Sequence, residues 1–373
     1  MQLLIHPTSY HLKKEIPMRT QCRSLRNTSI FTCFVSLFVL FIASDALAVT
    51  KLRLSMQPTP EAFIVHQMIA EGIDKKSDFA MEMIYADSGV SQIEALPAKT
   101  WDLANLGGTP MLMGALRYQA YMIALTADDG YNNMVMVRPN SPILQVKGFN
   151  PAYPELYGSP ESVKGKTILL PTVTAAHYAA YGWLQALKLN DKDVVLQNME
   201  PGQAMSAFES GVGDVVVVWV PFSLTGVAKG WKIVADGAMT KASVPLVWTT
   251  SKEFGDKNPD IVKRFMRLYF EQVDRYQSEL KNNRPELVAK VRKMFTDWAG
   301  MEMETPMVDM MLETYKMFDL KQNLKMLDAA AKESEAFVMM KNVAGFFTEN
   351  KRFTQAEKDQ VLKTNFITDK FIK

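Results

Sequence analysis

The sequence predicts an α/β protein of two similar lobes followed by a helical tail. Three observations carry that expectation. Short β-type runs alternate with amphipathic helical runs from residue 51 onward. The alternation restarts after an irregular Pro- and Gly-containing stretch, Asn140 to Pro160. One helix-turn-strand-loop segment recurs in both series. A βαβα order predicts a parallel sheet with covering helices, because each helix returns the chain to the same end of the sheet.

Lys51 to Ser55 reads as the first strand. Pro58 and Pro60 end it, and Pro60 suits the first turn of a helix over Glu61 to Ala70, where its missing N–H costs nothing. Ala80 to Tyr85 is the second strand, followed by the turn Asp87-Ser88-Gly89 and a helix to about Ala98. Leu103 to Leu106 is the third, with Gly107-Gly108-Thr109-Pro110 opening another helix, and Tyr121 to Thr126 is the fourth. The second series starts with a strand at Lys166 to Leu170 and a helix over Ala175 to Leu189. Strand Val194 to Leu196, helix Gln203 to Ser210 and strand Val215 to Val218 follow. The run of four valines is the continuous apolar pattern of a strand covered on both faces. Lys232 to Ala235 is the last strand of this half. Beyond Val247 to Thr250 the chain is helical and amphipathic, rich in Met and Lys.

The internal echo is specific in its spacing. Ala95 to Pro110 reads ALPAKTWDLANLGGTP, and Ala207 to Pro221 reads AFESGVGDVVVVWVP. Asp102 and Asp214 each stand seven residues after the Ala, a buried run follows, and Pro110 or Pro221 ends it. In open α/β sheets, ligands bind beyond the carboxyl ends of the strands. Two facing lobes would set both Pro-containing loops on one cleft.

The chain has 373 residues, 48% hydrophobic and 22% charged, with a formal charge of +2. Residues 1–48 carry Lys13, Lys14, Arg19, Arg23 and Arg26 against Glu15 and Asp45, a net of +3, which leaves −1 for the remainder. So neutral a body offers no basic footprint for nucleic acid or an anionic membrane. The basic start, the apolar run Ile30 to Ala43 and Ala46-Leu47-Ala48 form the pattern of a cleavable secretory signal. Met18 offers an alternative start with a leader of more usual length. Cys22 and Cys33 both lie in this leader, so the exported chain is expected to hold no disulfide, cysteine nucleophile or cysteine-ligated metal.

Several ordered motifs resemble one family. They are Val163-Lys164-Gly165-Lys166 before a strand, Thr174-Ala175-Ala176-His177-Tyr178 opening a helix, and Leu189 with Asp191-Lys192-Asp193-Val194. Ala207-Phe208 with Ser210-Gly211 and Asp214, then Trp219-Val220-Pro221-Phe222, continue the series. Asp102, Gly108 and Pro110 match in the first half, and Ser251 to Phe265 with Asn258-Pro259 in the return segment. Over roughly Leu52 to Thr296 the chain resembles the periplasmic substrate-binding proteins of ABC importers, of the nitrate, sulfonate, taurine and thiamine-precursor type. The resemblance implies the type II periplasmic binding protein fold, two α/β lobes joined by two crossovers near Val135 to Arg138 and Val247 to Thr250. It divides the chain into a signal peptide (1–48), lobe 1 (49–137 with 248–300), lobe 2 (138–247) and a helical extension (301–373) packing mainly on lobe 1. Two departures stand out. Where the family often has Gly-Ser-Thr, this chain has Val173, Thr174 and Ala175. Where it often has Asp or Glu, this chain has Val220, which removes a carboxylate for a ligand ammonium and disfavours an amino-sulfonate.

Candidate ligand contacts follow from the strand ends. Thr174 can cap its helix, leaving the N–H groups of Ala175, Ala176 and His177 to hold an anion; a plain helix cap is the alternative. His177 is either a donor to that anion or a satisfied helix residue, and His66 is structural. Thr172 precedes the same terminus. Trp219 ends the valine strand with a flat wall and one donor, unless it is a core-edge residue. Gly108 and Thr109 follow the third strand, Ser88 and Gly89 the second, and Gln57 and Thr59 the first, with ordinary turns as the alternative. Asp129 and Tyr131 lie in the segment after the fourth strand, where adjacent Asp residues either meet a cation or form a turn. Two scattered histidines make no metal site, and no nucleophile elbow, phosphate loop or zinc motif occurs, so no catalysis, metal or cofactor is expected. The resemblance implies a monomer that delivers a small organic anion, a sulfonate or carboxylate, to an ABC permease with its ATPase. The alternatives are a thiamine-precursor-like neutral or cationic heterocycle held by Asp128, Asp129 and Trp219, or a ligand sensor without transport.

Overall fold

The computed structural model describes residues 49–242, 244–328 and 333–373; the expected signal segment, with Cys22 and Cys33, lies outside them. The first lobe begins with β1 (Thr50–Met56), α1 (Pro60–Ala70), α2 (Ile73–Lys76), β2 (Phe79–Tyr85) and α3 (Gly89–Ala95). It continues with β3 (Leu103–Gly107), α4 (Gly108–Tyr118) and β4 (Ala120–Asp128). The second lobe holds β5 (Met134–Val137), α5 (Pro160–Val163), β6 (Thr167–Leu170), α6 (Ala175–Ala186) and β7 (Val195–Asn198). Then come α7 (Pro201–Glu209), β8 (Val215–Val218), α8 (Phe222–Ala228) and β9 (Lys232–Asp236). The chain returns through β10 (Pro245–Ser251) to α9 (Lys252–Lys257), α10 (Pro259–Asn282) and α11 (Arg284–Ala299). The tail is α12 (Thr305–Thr314), α13 (Leu320–Met326), α14 (Glu335–Glu349) and α15 (Gln355–Lys363).

The two sheets share one plan. Their strand orders are β2-β1-β3-β10-β4 and β7-β6-β8-β5-β9. Each sheet is mixed rather than parallel as expected, because β10 runs against β3 and β4, and β5 against β8 and β9. The reason is the crossing itself. The chain leaves β4 or β9 at the cleft end and enters the other sheet from that end, so the entering strand must run away from the cleft. Hydrophobic patterning reports burial, not direction. The crossovers correspondingly differ from Val135 to Arg138 and Val247 to Thr250, since those residues lie in or at the ends of β5 and β10. The chain leaves the first sheet after Asp128 and enters the second at Met134, then leaves the second after Asp236 and enters the first at Pro245. Met134–Val137 thus joins the second sheet and Pro245–Val247 the first.

The repeated Asp performs the same task in both lobes. Asp102 Oδ2 accepts from the Arg53 backbone N–H at 2.8 Å, and Asp214 Oδ2 from that of Thr167 at 2.9 Å. These contacts tie β3 to β1 in one sheet and β8 to β6 in the other, at the end away from the cleft. The echo is therefore a structural device, and its Pro-containing end faces the cleft.

Helices of the return segment and tail cover both faces of the first sheet. Trp248 of β10 lies edge-on to Phe265 and Tyr269 of α10, with centroids 5.0 and 5.3 Å away. On the other face, Phe346 and Phe347 of α14 join Leu106, Met111 and Leu125 in one buried cluster. Segment 366–368 pairs with Met122 of β4, covering that edge of the sheet. The tail also reaches the second lobe. Phe346 packs on Tyr178 and Tyr181 of α6 at 4.8 and 4.5 Å, and the Tyr181 hydroxyl donates to Glu349 at 2.6 Å. Among the described residues, no helix is long and apolar enough to cross a membrane.

Candidate functional site

A narrow hollow of about 30 Å³ lies between the lobes. Gln57, Thr59, Gly89, Gly107, Pro110 and Leu246 line it from the first lobe, and Thr174, Ala175, Trp219 and Val220 from the second. Asp129 enters from a crossover and Tyr315 from the tail. A larger concavity, about 630 Å³, lies at the far end of the first sheet, lined by Arg53, Lys99, Asp102, Lys252, Glu253 and Lys257 among others. Most of its charges are already paired, Arg53 with Asp102 and both Lys99 and Lys257 with Glu253. The smaller hollow is the one at the strand carboxyl ends with donors to spare, so it is the candidate site.

Three helices of eleven or twelve residues start there. Thr59, Gly107 and Thr174 are the N-caps of α1, α4 and α6. The α6 start carries free N–H groups and a partial positive charge that favour an anion, whereas α1 begins with Pro60 and its Ala62 N–H is bonded to the Thr59 carbonyl, so α1 contributes its dipole rather than free donors. No Lys or Arg lines the hollow. Thr174 Oγ1 accepts from the His177 N–H at 3.5 Å and donates to the Pro171 carbonyl at 2.6 Å. The preceding Val173 has φ 63°, a left-handed conformation that a β-branched residue rarely adopts, at the position where the family often has glycine. Its N–H donates to His177 Nδ1 at 3.3 Å, which helps hold the turn.

The walls hold buried polar atoms with no partner inside the protein. They include Trp219 Nε1 in the lining and Thr109 Oγ1 just behind it. Buried donors of this kind are normally paired, so these identify where a ligand would be recognised. Beneath the lining, Glu61 is 0% exposed. Its carboxylate accepts from Thr126 at 2.8 Å and from Tyr315 at 2.5 Å. Burial raises its pKa, while those two hydrogen bonds work against the rise. Asp129 is pushed up to about 8, chiefly by burial, with the neighbouring Glu61 and Asp128 charges adding to the effect. Its partners Asn133 and Asn132 oppose the shift.

Of the residues expected from sequence, Gln57, Thr59, Gly89, Asp129, Thr174, Ala175 and Trp219 line this one hollow. Gly89 is required there, since a Cβ would come within 2.6 Å of Pro110 Cγ. Ser88 caps α3 and donates across the cleft to Glu200 Oε1 at 3.3 Å. Gly108 faces Val244 and Met340, and its neighbour Gly107 takes the lining position. Tyr131 is 58% exposed and does not line the hollow. Thr172 is engaged by Asn198 at 3.0 Å. His177 is turned inward: Nε2 meets Asp191 at 3.0 Å, and the ring packs against Phe346 at 5.4 Å. It is a satisfied helix residue rather than a ligand donor. Asp128 accepts from the Gly130 N–H at 2.9 Å, a turn contact.

Sequence reasoning missed Leu246, Tyr315 and the second-layer Glu61. Glu61 left one signal, an acidic residue among Phe63, Ile64 and Val65 in a helix with little polar surface. Tyr315 left none. Among the described residues, no group of three potential metal ligands occurs.

No family model matches the chain. A provisionally named ABC transporter periplasmic binding protein of Brachyspira hyodysenteriae is 29% identical over 265 residues, covering 68% of this chain and 75% of its own. The taurine-binding periplasmic protein of Escherichia coli is 26% identical over 262 residues, with the same two shares covered. Among solved structures, the alkanesulfonate-binding protein SsuA from Xanthomonas axonopodis pv. citri, bound to MOPS, superposes with a TM-score of 0.65. It is 14% identical and covers 86% of this chain and 98% of its own, so it speaks to the fold alone. The chain has the periplasmic binding protein fold with a helical C-terminal region, and its relatives carry periplasmic-binding-protein names. That is the resemblance its motifs between Leu52 and Thr296 express.

Proposed function

We propose that this chain is an exported solute-binding protein that closes its two lobes on a small organic anion, of sulfonate or carboxylate type, and delivers it to an ABC importer. One observation carries the reading: the starts of α1, α4 and α6 converge from both lobes on a single hollow with unpartnered donors and no cationic side chain. An anion held there contacts both lobes, so it binds the closed form better than the open one and shifts the population toward it. Hinge motion where the chain passes between the lobes, after Asp128 and after Asp236, supplies the closure. The permease then reads the closed surface, and the protein acts as a monomer without catalysis. The relatives' names support export and transport. Cleavage of the leader after Ala48 gives a mature chain starting at Val49, which mass measurement of the exported protein checks.

Thermal-shift and calorimetric screens of the exported protein test the ligand class. Alkanesulfonates or short carboxylates should raise the melting temperature, and X-ray scattering should show compaction on binding. Stabilisation by amines alone, with no response to any anion-bearing compound, sinks the reading.

A further inference from the structure

The helical tail holds the second lobe from two sides of the cleft. It is fastened to the first lobe. The Tyr315 hydroxyl donates to Glu61 at 2.5 Å, and the Phe318 N–H donates to the Thr126 carbonyl at 2.8 Å. The Asn323 side chain accepts from the Leu125 N–H at 2.7 Å and donates to the Leu125 carbonyl at 2.9 Å. From that anchorage the tail reaches the second lobe twice. On one face of the first sheet, Val308, Met311 and Leu312 of α12 share a buried cluster with Val220 and with Leu224 of α8. On the other face, Phe346 of α14 packs on Tyr178 and Tyr181 of α6, and Glu349 accepts from Tyr181. The α6 helix is divided between two cores. Ala176, Ala180 and Trp183 face its own lobe, whereas Ala175, Tyr178 and Tyr181 pack into the cluster that holds Phe346. Val220 and Tyr315 from one cluster and Ala175 from the other line the hollow. The hollow measures about 30 Å³, room for about one water, while pockets that enclose a small organic ligand run to roughly 300 Å³ or more.

We propose that the tail is an autoinhibitory strap: α12 and α14 draw the lobes closer together than an organic ligand permits, and binding works against them. This rests on the two-lobed solute-binding reading above and adds a competitor to the ligand. Hinge rotation after Asp128 and after Asp236 carries α6 and α8 away from the first lobe, and the tail, tied to that lobe, stays behind. Phe346, 3% exposed, then meets water, and Tyr181 loses Glu349. Those costs fall on every state wide enough for the ligand. When the binding-competent state is a minor population, the observed affinity is lowered by that fraction, and loosening the strap restores it. Tyr178 and Tyr181 belong to the clasp and not to the core of their own lobe, so they can be changed without opening that core.

Spin labels on Lys76→Cys and Val195→Cys report the opening in the full exported chain. Both positions are exposed; Lys76 precedes β2 and Val195 begins β7, the sheet edges opposite β4 and β9, from which the chain crosses. Without added anion, the wild-type protein should give a short label distance, and the Tyr178→Ala/Tyr181→Ala variant a longer one with a larger radius of gyration. Calorimetry with propanesulfonate, propionate and inorganic sulfate should show about tenfold higher affinity in that variant for whichever anion binds. Tyr181→Phe, which loses only the bond to Glu349, should move both readouts the same way by a smaller step, and it keeps the test open if the double variant fails to fold. Tyr85→Ala, which removes a ring packed on Trp298 of its own lobe, should move neither. The same label distance in the wild-type protein and both clasp variants overturns the strap and leaves anion binding standing. A longer distance with weaker anion affinity overturns it too, because the tail would then assist closure around the ligand. An equal widening in Tyr85→Ala also overturns it, since loss of any ring would then suffice. A longer distance confined to the clasp variants, with no anion bound by any of these proteins, supports the strap and overturns the anion-binding reading.

Discussion

The buried carboxyl of Asp129 makes a testable statement about stability in the ligand-free protein. Asp129 is 6% exposed and its pKa is raised from 3.8 to about 8 by burial, with Glu61 and Asp128 contributing. The folded chain therefore holds a proton at Asp129 between about pH 4 and 8 that the unfolded chain has released. Stability is full below the unfolded value and falls as pH rises toward the folded one, by about 1.4 kcal/mol per unit. Asp129→Asn keeps the shape and cannot titrate. From pH 6 to 8, partial ionisation near the upper limit leaves a loss of about 2 kcal/mol for the wild-type protein relative to the variant. Urea unfolding of both proteins at pH 6, 7 and 8 measures it, and the subtraction cancels groups the two share. A difference that stays constant to within about 0.5 kcal/mol across that range would refute the burial argument.

Trp219→Phe keeps the apolar wall but removes the unpartnered donor; anion affinity should fall about tenfold, by calorimetry, with little change in melting temperature. Phe346→Ala opens a hole between α14 and α6 at a residue 3% exposed, and urea titration should register a loss of about 3–5 kcal/mol. Asp102→Ala and Asp214→Ala remove matching strand ties in different lobes, so each should cost about 1–3 kcal/mol and the double variant their sum. Strong non-additivity in that cycle would contradict two independent ties.

Much of the scaffold was legible because its signals are local. Four valines in a row announced a strand covered on both faces, and Val215–Val218 lies between two other strands with every side chain buried. Pro60 announced a helix start, and Thr174 a cap; both hold. These features depend on neighbours within a few residues, and the chain carries them wherever it folds.

The sequence by itself determined the alternation of strands and helices, the two similar halves, the near-neutral body and the capped helix start at Thr174. Tertiary structure alone decided the direction of β5 and β10, because period-two patterning is the same whichever way a strand runs. It also decided that His177 faces Asp191 instead of the cleft, and that Gly107 rather than Gly108 lines it. The acidic end of the hollow was settled last, since Glu61, Asp129 and Tyr315 meet only after some 250 residues of chain have folded around them. A burial that raises a carboxyl's pKa is a property of everything packed against it, and no short stretch of sequence contains that information.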